Sequence, residues 1–213
     1  MTAGGDFHPA PKTNHSLVLF VLYNFQQDIA RVLQVGYNKT ERKVANMRAR
    51  PVSCAFTGHR PEKLPWGENE RDPRCMALKE KLRDAIETAY AEGYRHFICG
   101  MARGVDLYCC ELCLALRDMH QEVTVEAAIP YVHQADHWPA EERERYQDLL
   151  ERCDFETVIQ ENYDAGCFNR RNRYMVDHAS LLIAVNDGQS GGTRQTILYA
   201  MSRQVPVVDL PVE

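Results

Sequence analysis

From Val52 onward, short apolar runs alternate with segments whose apolar residues recur every three or four positions. These are the periods of buried strands and of amphipathic helices. Val52–Thr57 suits a strand buried on both faces. Asp72-Pro73 then supplies a capping acid and a proline at the first helical position, Leu78, Leu82, Ala85 and Ala89 supply a stripe, and Gly93 supplies a stop. Arg95–Cys99 predicts the next strand, and Gly104–Asp118 a helix with Leu107, Cys110 and Leu114 on one side. Val123–Ile129 predicts a third strand, and Pro139 opens a helix through Cys153 whose apolar side carries Tyr146, Leu149, Leu150 and Cys153. Glu156–Gln160 reads as a fourth strand, Gly166–His178 as a helix, and Leu181–Asn186 as a strongly buried strand. Thr193–Arg203 and Val205–Leu210 close the series as helix and strand. Strands separated by helices of this length require a mostly parallel sheet covered on both faces, a three-layer α/β fold.

The first 46 residues do not share this pattern. Residues 1–16 are rich in Gly, Pro, His and Asn, and Leu17–Val35 has apolar content for one helix but no capping signal. Met47 stands just before the first strong strand. The expectation is an N-terminal extension over 1–46, outside the core or an artefact of start-codon choice, and one domain over 47–213.

Charge narrows the partners. The chain carries 25 Lys/Arg against 30 Asp/Glu, a net −5, and the extension holds a basic excess, so the body is more acidic still. That argues against nucleic acid as a partner, because tracking a phosphate backbone takes many cations. The apolar run Leu17–Tyr23 is too short to span a bilayer and lacks the flanks of a secretory signal. The eight cysteines then read as reduced thiols of a cytoplasmic protein. Cys109, Cys110 and Cys113 share one helix without a matching second pair, which is not zinc spacing. The sequence calls for no metal and no cofactor.

The unusual residues fall at strand ends, where open parallel sheets bind ligands. Gly58, His59 and Arg60 follow the first strand; Gly100, Met101, Ala102, Gly104 and Asp106 follow the second; Asp187, Gly188, Gly191, Gly192 and Thr193 follow the fifth. Glycine lets the backbone approach a ligand, and a helix start adds free N–H groups and partial positive charge. Each loop alone also reads as an ordinary tight turn; three on one edge favour a ligand site. Arg60 and Arg171 are candidates for phosphate oxygens. Asn172 shares a helical stripe with Phe168, Met175 and Ala179, so its amide must satisfy a loop or read a ligand. Asp106 suits a helix first turn or a ribose hydroxyl, and Asp187 a turn or a ligand contact. His59 is a candidate acid or base, though a loop histidine is commonly structural. Trp66 and Trp138 suit core anchoring better than base stacking.

Taken in order, Thr57-Gly58-His59-Arg60-Pro61, Gly100-Met101-Ala102-x-Gly104-x-Asp106, Arg171-Asn172-x-Tyr174-Met175-Val176-Asp177 and Asp187-Gly188-x-x-Gly191-Gly192-Thr193 resemble the YpsA-like branch of the SLOG superfamily, over roughly Val52 to Leu210. The resemblance implies a Rossmann-like fold that binds a nucleotide or nucleotide-derived ligand at the glycine loops, as a sensor or regulator. Two sister activities are alternatives. Lonely-guy phosphoribohydrolases cleave the N-glycosidic bond of a nucleoside monophosphate with a glutamate three residues beyond a Gly-Thr motif; here that position is Thr196. Smf/DprA proteins share the second loop and bind single-stranded DNA, which here would need a local basic groove of Arg103, Arg170, Arg171 and Arg173. Whether a reaction follows binding stays open at this point, as does assembly into a homo-oligomer, among which the dimer is the commonest form.

Overall fold

A computed structural model describes residues 52–212; the expected extension over 1–46, with its Leu17–Val35 segment, lies outside the described residues. Six strands form one sheet: β1 (Ser53–Thr57), β2 (His96–Cys99), β3 (Thr124–Ile129), β4 (Phe155–Val158), β5 (Leu181–Asn186) and β6 (Val207–Pro211). All pairings are parallel, in the spatial order β4-β3-β2-β1-β5-β6. Between them run α1 (Pro73–Ala91), α2 (Val105–Met119), α3 (Ala140–Arg152), α4 (Cys167–Asp177) and α5 (Gly192–Ser202). The chain is the three-layer α/β fold that its periodicity predicts.

Local chemistry sets the element ends. Asp72 caps α1 by accepting the Arg74 N–H at 2.9 Å, Pro73 occupies the first turn, and Gly93 leaves the helix at φ +99°. The alternation along each strand divides the core. Cys54, Phe56, Phe97, Val125 and Ile183 face α1, α2 and α3, while Ala55, Ile98, Ala128 and Leu182 face α4 and α5. Every residue of β1 is buried, as expected for a central parallel strand.

β4 runs over Phe155–Val158, one residue earlier than Glu156, and stops short of Gln160. Its register follows β3, with Phe155 opposite Glu126, and as an edge strand it is largely exposed. An exposed edge carries little hydrophobic signal, so its bounds were not readable from periodicity. β6 begins at Val207 because Val205 still belongs to the turn that closes α5: its N–H bonds the Ala200 carbonyl after Gln204 at φ +58°.

Candidate functional site

β1 pairs with β2 on one side and β5 on the other, so the order of the sheet reverses between β1 and β5. Loops leaving two neighbouring strands in opposite directions part at their carboxyl ends and open a crevice. The β1 loop runs through Gly58, His59 and Arg60 into a short 3-10 turn over Pro61–Lys63, and the β5 loop enters α5 at Gly192. Together with α4 they enclose a cleft of about 310 Å³ lined by Thr57, Gly58, His59, Arg60, Glu62, Lys63, Ala102, Asp106, Phe168, Arg171, Asn172, Gly192 and Thr193. The wall draws on segments far apart in sequence, and most of its residues were marked as candidates in the sequence. Gly100, Met101, Gly104, Asp187, Gly188 and Gly191 do not line it.

The glycines divide by what an added methyl would meet. At Gly58 it would stand 2.4 Å from a Val105 methyl, and at Gly104 2.7 Å from the His59 carbonyl oxygen. At Gly100 it would stand 2.4 Å from both Arg171 Nη1 and Asp106 Oδ2. These three glycines serve close approach of the protein to itself. The His59 carbonyl accepts the Val105 N–H at 3.2 Å, so the start of α2 is already bonded to the β1 loop. Only at Gly192 among the marked cleft glycines does an added methyl meet nothing within 4 Å. The first N–H groups of α5 have no intrahelical partner. The open helix start is therefore that of α5, with the Lys63 ammonium close enough to crowd a methyl at Gly191.

A buried ion pair backs the cleft. Arg171 Nη1 lies 3.5 Å from Asp106 Oδ2, with side chains only 5% and 8% exposed. Asp106 also accepts the Ala102 N–H at 3.3 Å, which ties the β2 loop to its own helix. Burial pushes the Asp106 carboxyl upward against the pull of Arg171, and burial lowers the Arg171 guanidinium against the pull of Asp106. Arg171 Nε donates to Asn172 Oδ1 at 2.8 Å, but Nη1 is buried without a hydrogen-bond partner. The Asn172 amide in turn donates to Thr196 Oγ1 at 2.8 Å, and Thr196 donates to the Gly192 carbonyl at 2.8 Å. Asn172 thus satisfies a neighbouring helix while its flank faces the cleft.

His59 closes the floor. Its Nε2 accepts the Asp187 N–H at 3.2 Å and lies 3.0 Å from the Asp187 carboxylate. One nitrogen accepts only without a hydrogen and donates to a carboxylate only with one, so the two contacts require different placements of the ring hydrogen. The Gln189 N–H holds the Asp187 carboxyl below its usual range, helped by His59. Thr193 Oγ1 donates to the Gly58 carbonyl at 3.1 Å and joins the two loops. Gly188, at φ +76° with open space around it, is a turn residue.

Some of the machinery gave no sequence signal. Lys63 reaches the cleft only because Pro61 starts a turn there. Gln134 donates to the carbonyl of Met101, which is fully buried in the left-handed region at φ +58° and shapes the β2 loop. Trp66 lies in the core and Trp138 packs against it. Cys109, Cys110 and Cys113 are buried beside Cys99, all eight cysteines are free thiols, and among the described residues no cluster has the make-up of a metal site. No helix among them is long and apolar enough to cross a membrane.

A parallel sheet with a ligand-sized cleft at its switch point defines a Rossmann-like α/β domain. The chain belongs to the YspA SLOG family, whose model matches residues 54–208. Among relatives, the SPbeta prophage-derived protein YoqJ of Bacillus subtilis is 28% identical over 143 residues, covering 61% of this chain and 84% of its own. A UPF0398 protein of Bacillus thuringiensis is 22% identical over 152 residues, covering 70% and 82%. Among solved structures, DNA processing protein A of Helicobacter pylori, described with a single-stranded DNA binding mode, superposes with TM-score 0.52 at 16% identity over 77% of this chain and 67% of that one. DprA of Streptococcus pneumoniae superposes with TM-score 0.51 at 16% identity over 76% of this chain, which spans 50% of that protein. At such identities the likeness to these structures shows the fold alone.

Proposed function

We propose that this domain binds a nucleotide or nucleotide-derived small molecule in the β1–β5 cleft and acts as a cytoplasmic ligand-sensing module. The observation that carries the reading is Arg171, whose Nη1 makes no hydrogen bond although it stands 3.5 Å from Asp106 Oδ2, in the wall of a cleft that also holds the open start of α5. A buried donor left unbonded is costly, and a phosphate oxygen would satisfy it. Arg60 and Lys63 line the same space and add positive charge around the α5 N–H groups. Free thiols fit a reducing compartment.

A small ligand is favoured over a polymer by where the other cations go. Arg103 is held by Glu62, Glu68 and Glu142, Arg170 by Asp164, and Arg173 lies over the Tyr199 ring. Arg171 is buried, so a continuous basic track is not assembled from these residues. Glycosidic hydrolysis has less support, because Thr196 is engaged with Asn172 and Gly192 where the sister hydrolases carry their glutamate.

A thermal-shift screen with mononucleotides, dinucleotides and ADP-ribose tests the reading. A ligand at one hundred times its Kd should add about 2.7 kcal/mol, and Gly192→Val should remove the shift by filling the open helix start. A flat response across the panel would sink the proposal. Release of free base, lost in Asp106→Asn, would replace it with hydrolysis.

A further inference from the structure

Beside the phosphate-type end of the cleft stand three aromatic rings from the segments that follow β3 and β4. Tyr131 follows β3, Tyr163 precedes α4, and Phe168 lies in the first turn of α4. Tyr131 meets Tyr163 edge-on at 5.4 Å and Phe168 at 6.1 Å, with Tyr163 and Phe168 6.5 Å apart. Tyr163 is 61% exposed, an unusual state for a ring that already has two aromatic neighbours. The Arg60 guanidinium lies over the Phe168 ring, 4.5 Å from its centroid, and both residues line the cleft. Arg60 is itself exposed, so the layer that it builds on Phe168 is accessible from solvent.

We infer that this Arg60–Phe168 layer, bordered by Tyr131 and Tyr163, is a stacking subsite for a nucleobase. The inference rests on the proposed binding of a nucleotide-type ligand and specifies its class: a base-bearing mononucleotide, not a bare sugar phosphate. A guanidinium plane backed by an aromatic ring offers a flat, polarisable surface on which bases stack. Edge-on tyrosines beside it supply apolar walls with hydroxyls at their rims. The division of labour follows from position. The α5 start, Lys63 and Arg171 form one end of the cleft's charge, and the Arg60–Phe168 layer forms the aromatic flank. Stacking of this kind tolerates different bases because every base has a π-face. Both purine and pyrimidine nucleotides are therefore expected to bind. A cleft of about 310 Å³ has the size of a small-molecule site.

Calorimetric titration of the full chain with AMP, UMP, ribose 5-phosphate and inorganic phosphate tests the subsite. Both nucleotides should bind about tenfold or more tightly than ribose 5-phosphate, the worth of one stacked base. Arg60→Lys keeps the charge and loses the plane, and Phe168→Leu keeps an apolar support and loses the ring. Phe168→Leu should abolish the preference for nucleotides and leave ribose 5-phosphate affinity within about twofold, and Arg60→Lys should weaken nucleotides more than ribose 5-phosphate. Equal affinity of the wild type for AMP and ribose 5-phosphate would overturn the subsite alone. So would an equal loss of both ligands in Arg60→Lys, since Arg60 would then serve only the phosphate. A thymidine oligomer that outcompetes both mononucleotides would overturn the subsite in favour of a nucleic-acid strand. Failure of all four probes to bind would overturn the nucleotide reading itself.

Discussion

Asp106 and Arg171 meet at 3.5 Å in the space that only a glycine at position 100 leaves free. The pair joins the start of α2 to α4, with the Ala102 N–H bonded to the same carboxylate. It is the point at which the stability of the fold and the proposed chemistry of the cleft share residues.

Breaking the pair from one side should be expensive. Asp106→Asn leaves a buried guanidinium without its countercharge and should cost about 3–5 kcal/mol in urea unfolding. The double variant Asp106→Leu with Arg171→Met should recover most of that loss, because two apolar side chains remove both desolvation penalties. The recovered protein should still fail to shift with nucleotide, since Arg171 Nη1 is gone. A stable double variant with a full ligand response would separate Arg171 from binding.

Two glycines with positive φ offer an internal comparison. Gly93 stands at φ +99° with nothing within 4 Å of an added methyl, so Gly93→Ala should cost only the backbone strain, about 1 kcal/mol. Gly104 stands at φ +82° with the His59 carbonyl in the way, so Gly104→Ala should add a displacement of the β1 loop. Its unfolding free energy should fall by about 2–4 kcal/mol, and it should lose the nucleotide shift as well. Equal losses at the two sites would mean that the β1 loop gives way without cost.

A carboxylate away from the cleft sets an acid limit on stability. Glu126 accepts from the Tyr174 hydroxyl at 2.7 Å and lies 2.8 Å from His96 Nε2. Burial raises its pKa, but bonds from His96, Tyr174 and Thr157 outweigh that and hold it at about 2, against an ordinary 4.5. A folded-state value below the unfolded one gives stability that is present above 4.5 and lost as pH falls toward 2. At neutral pH that shift is worth at most about 3 kcal/mol, and solvent screening reduces it. Glu126→Gln should lose that increment at neutral pH and converge with the wild type near pH 2, as read from urea melts across the acid range. A constant offset at all pH values would assign the loss to packing.

Lys63 tests the anion end of the cleft with little risk to the fold. It is exposed on the 3-10 turn and contributes nothing to the core. Lys63→Ala should leave unfolding within about 0.5 kcal/mol of the wild type. Nucleotide affinity should fall about tenfold at low salt and less at high salt, as for a partly solvated charge contact. Unchanged affinity at low salt would place the phosphate elsewhere.

How much of this was legible in the sequence differs by element. α1 and α2 announced themselves through long stripes, and β1 and β5 through unbroken apolar runs, because burial on one or both faces constrains every position. β4 slipped because an exposed edge strand carries no such constraint. Residue chemistry marked Arg171 and Asn172, and the strand-end rule marked Gly58, His59, Arg60, Ala102, Asp106, Gly192 and Thr193, all on the cleft wall. It could not distinguish glycines that admit a ligand from glycines that admit another part of the protein, since both look alike in one dimension. Lys63, Gln134 and the meeting of Tyr131 with Tyr163 and Phe168 gave no signal for the same reason: each matters through a neighbour distant in the chain.

The amino-acid order alone determined the layered α/β architecture and the edge at which special residues gather, because periodicity and turn chemistry are local. The tertiary structure decided that β1 and β5 are the neighbours at which the sheet order reverses, and that α5 rather than α2 keeps an open start. It also decided that Arg171 lines the cleft while one nitrogen of its guanidinium is buried without a hydrogen bond. Those are relations between segments from dozens to more than a hundred residues apart, and only the packed sheet brings them together.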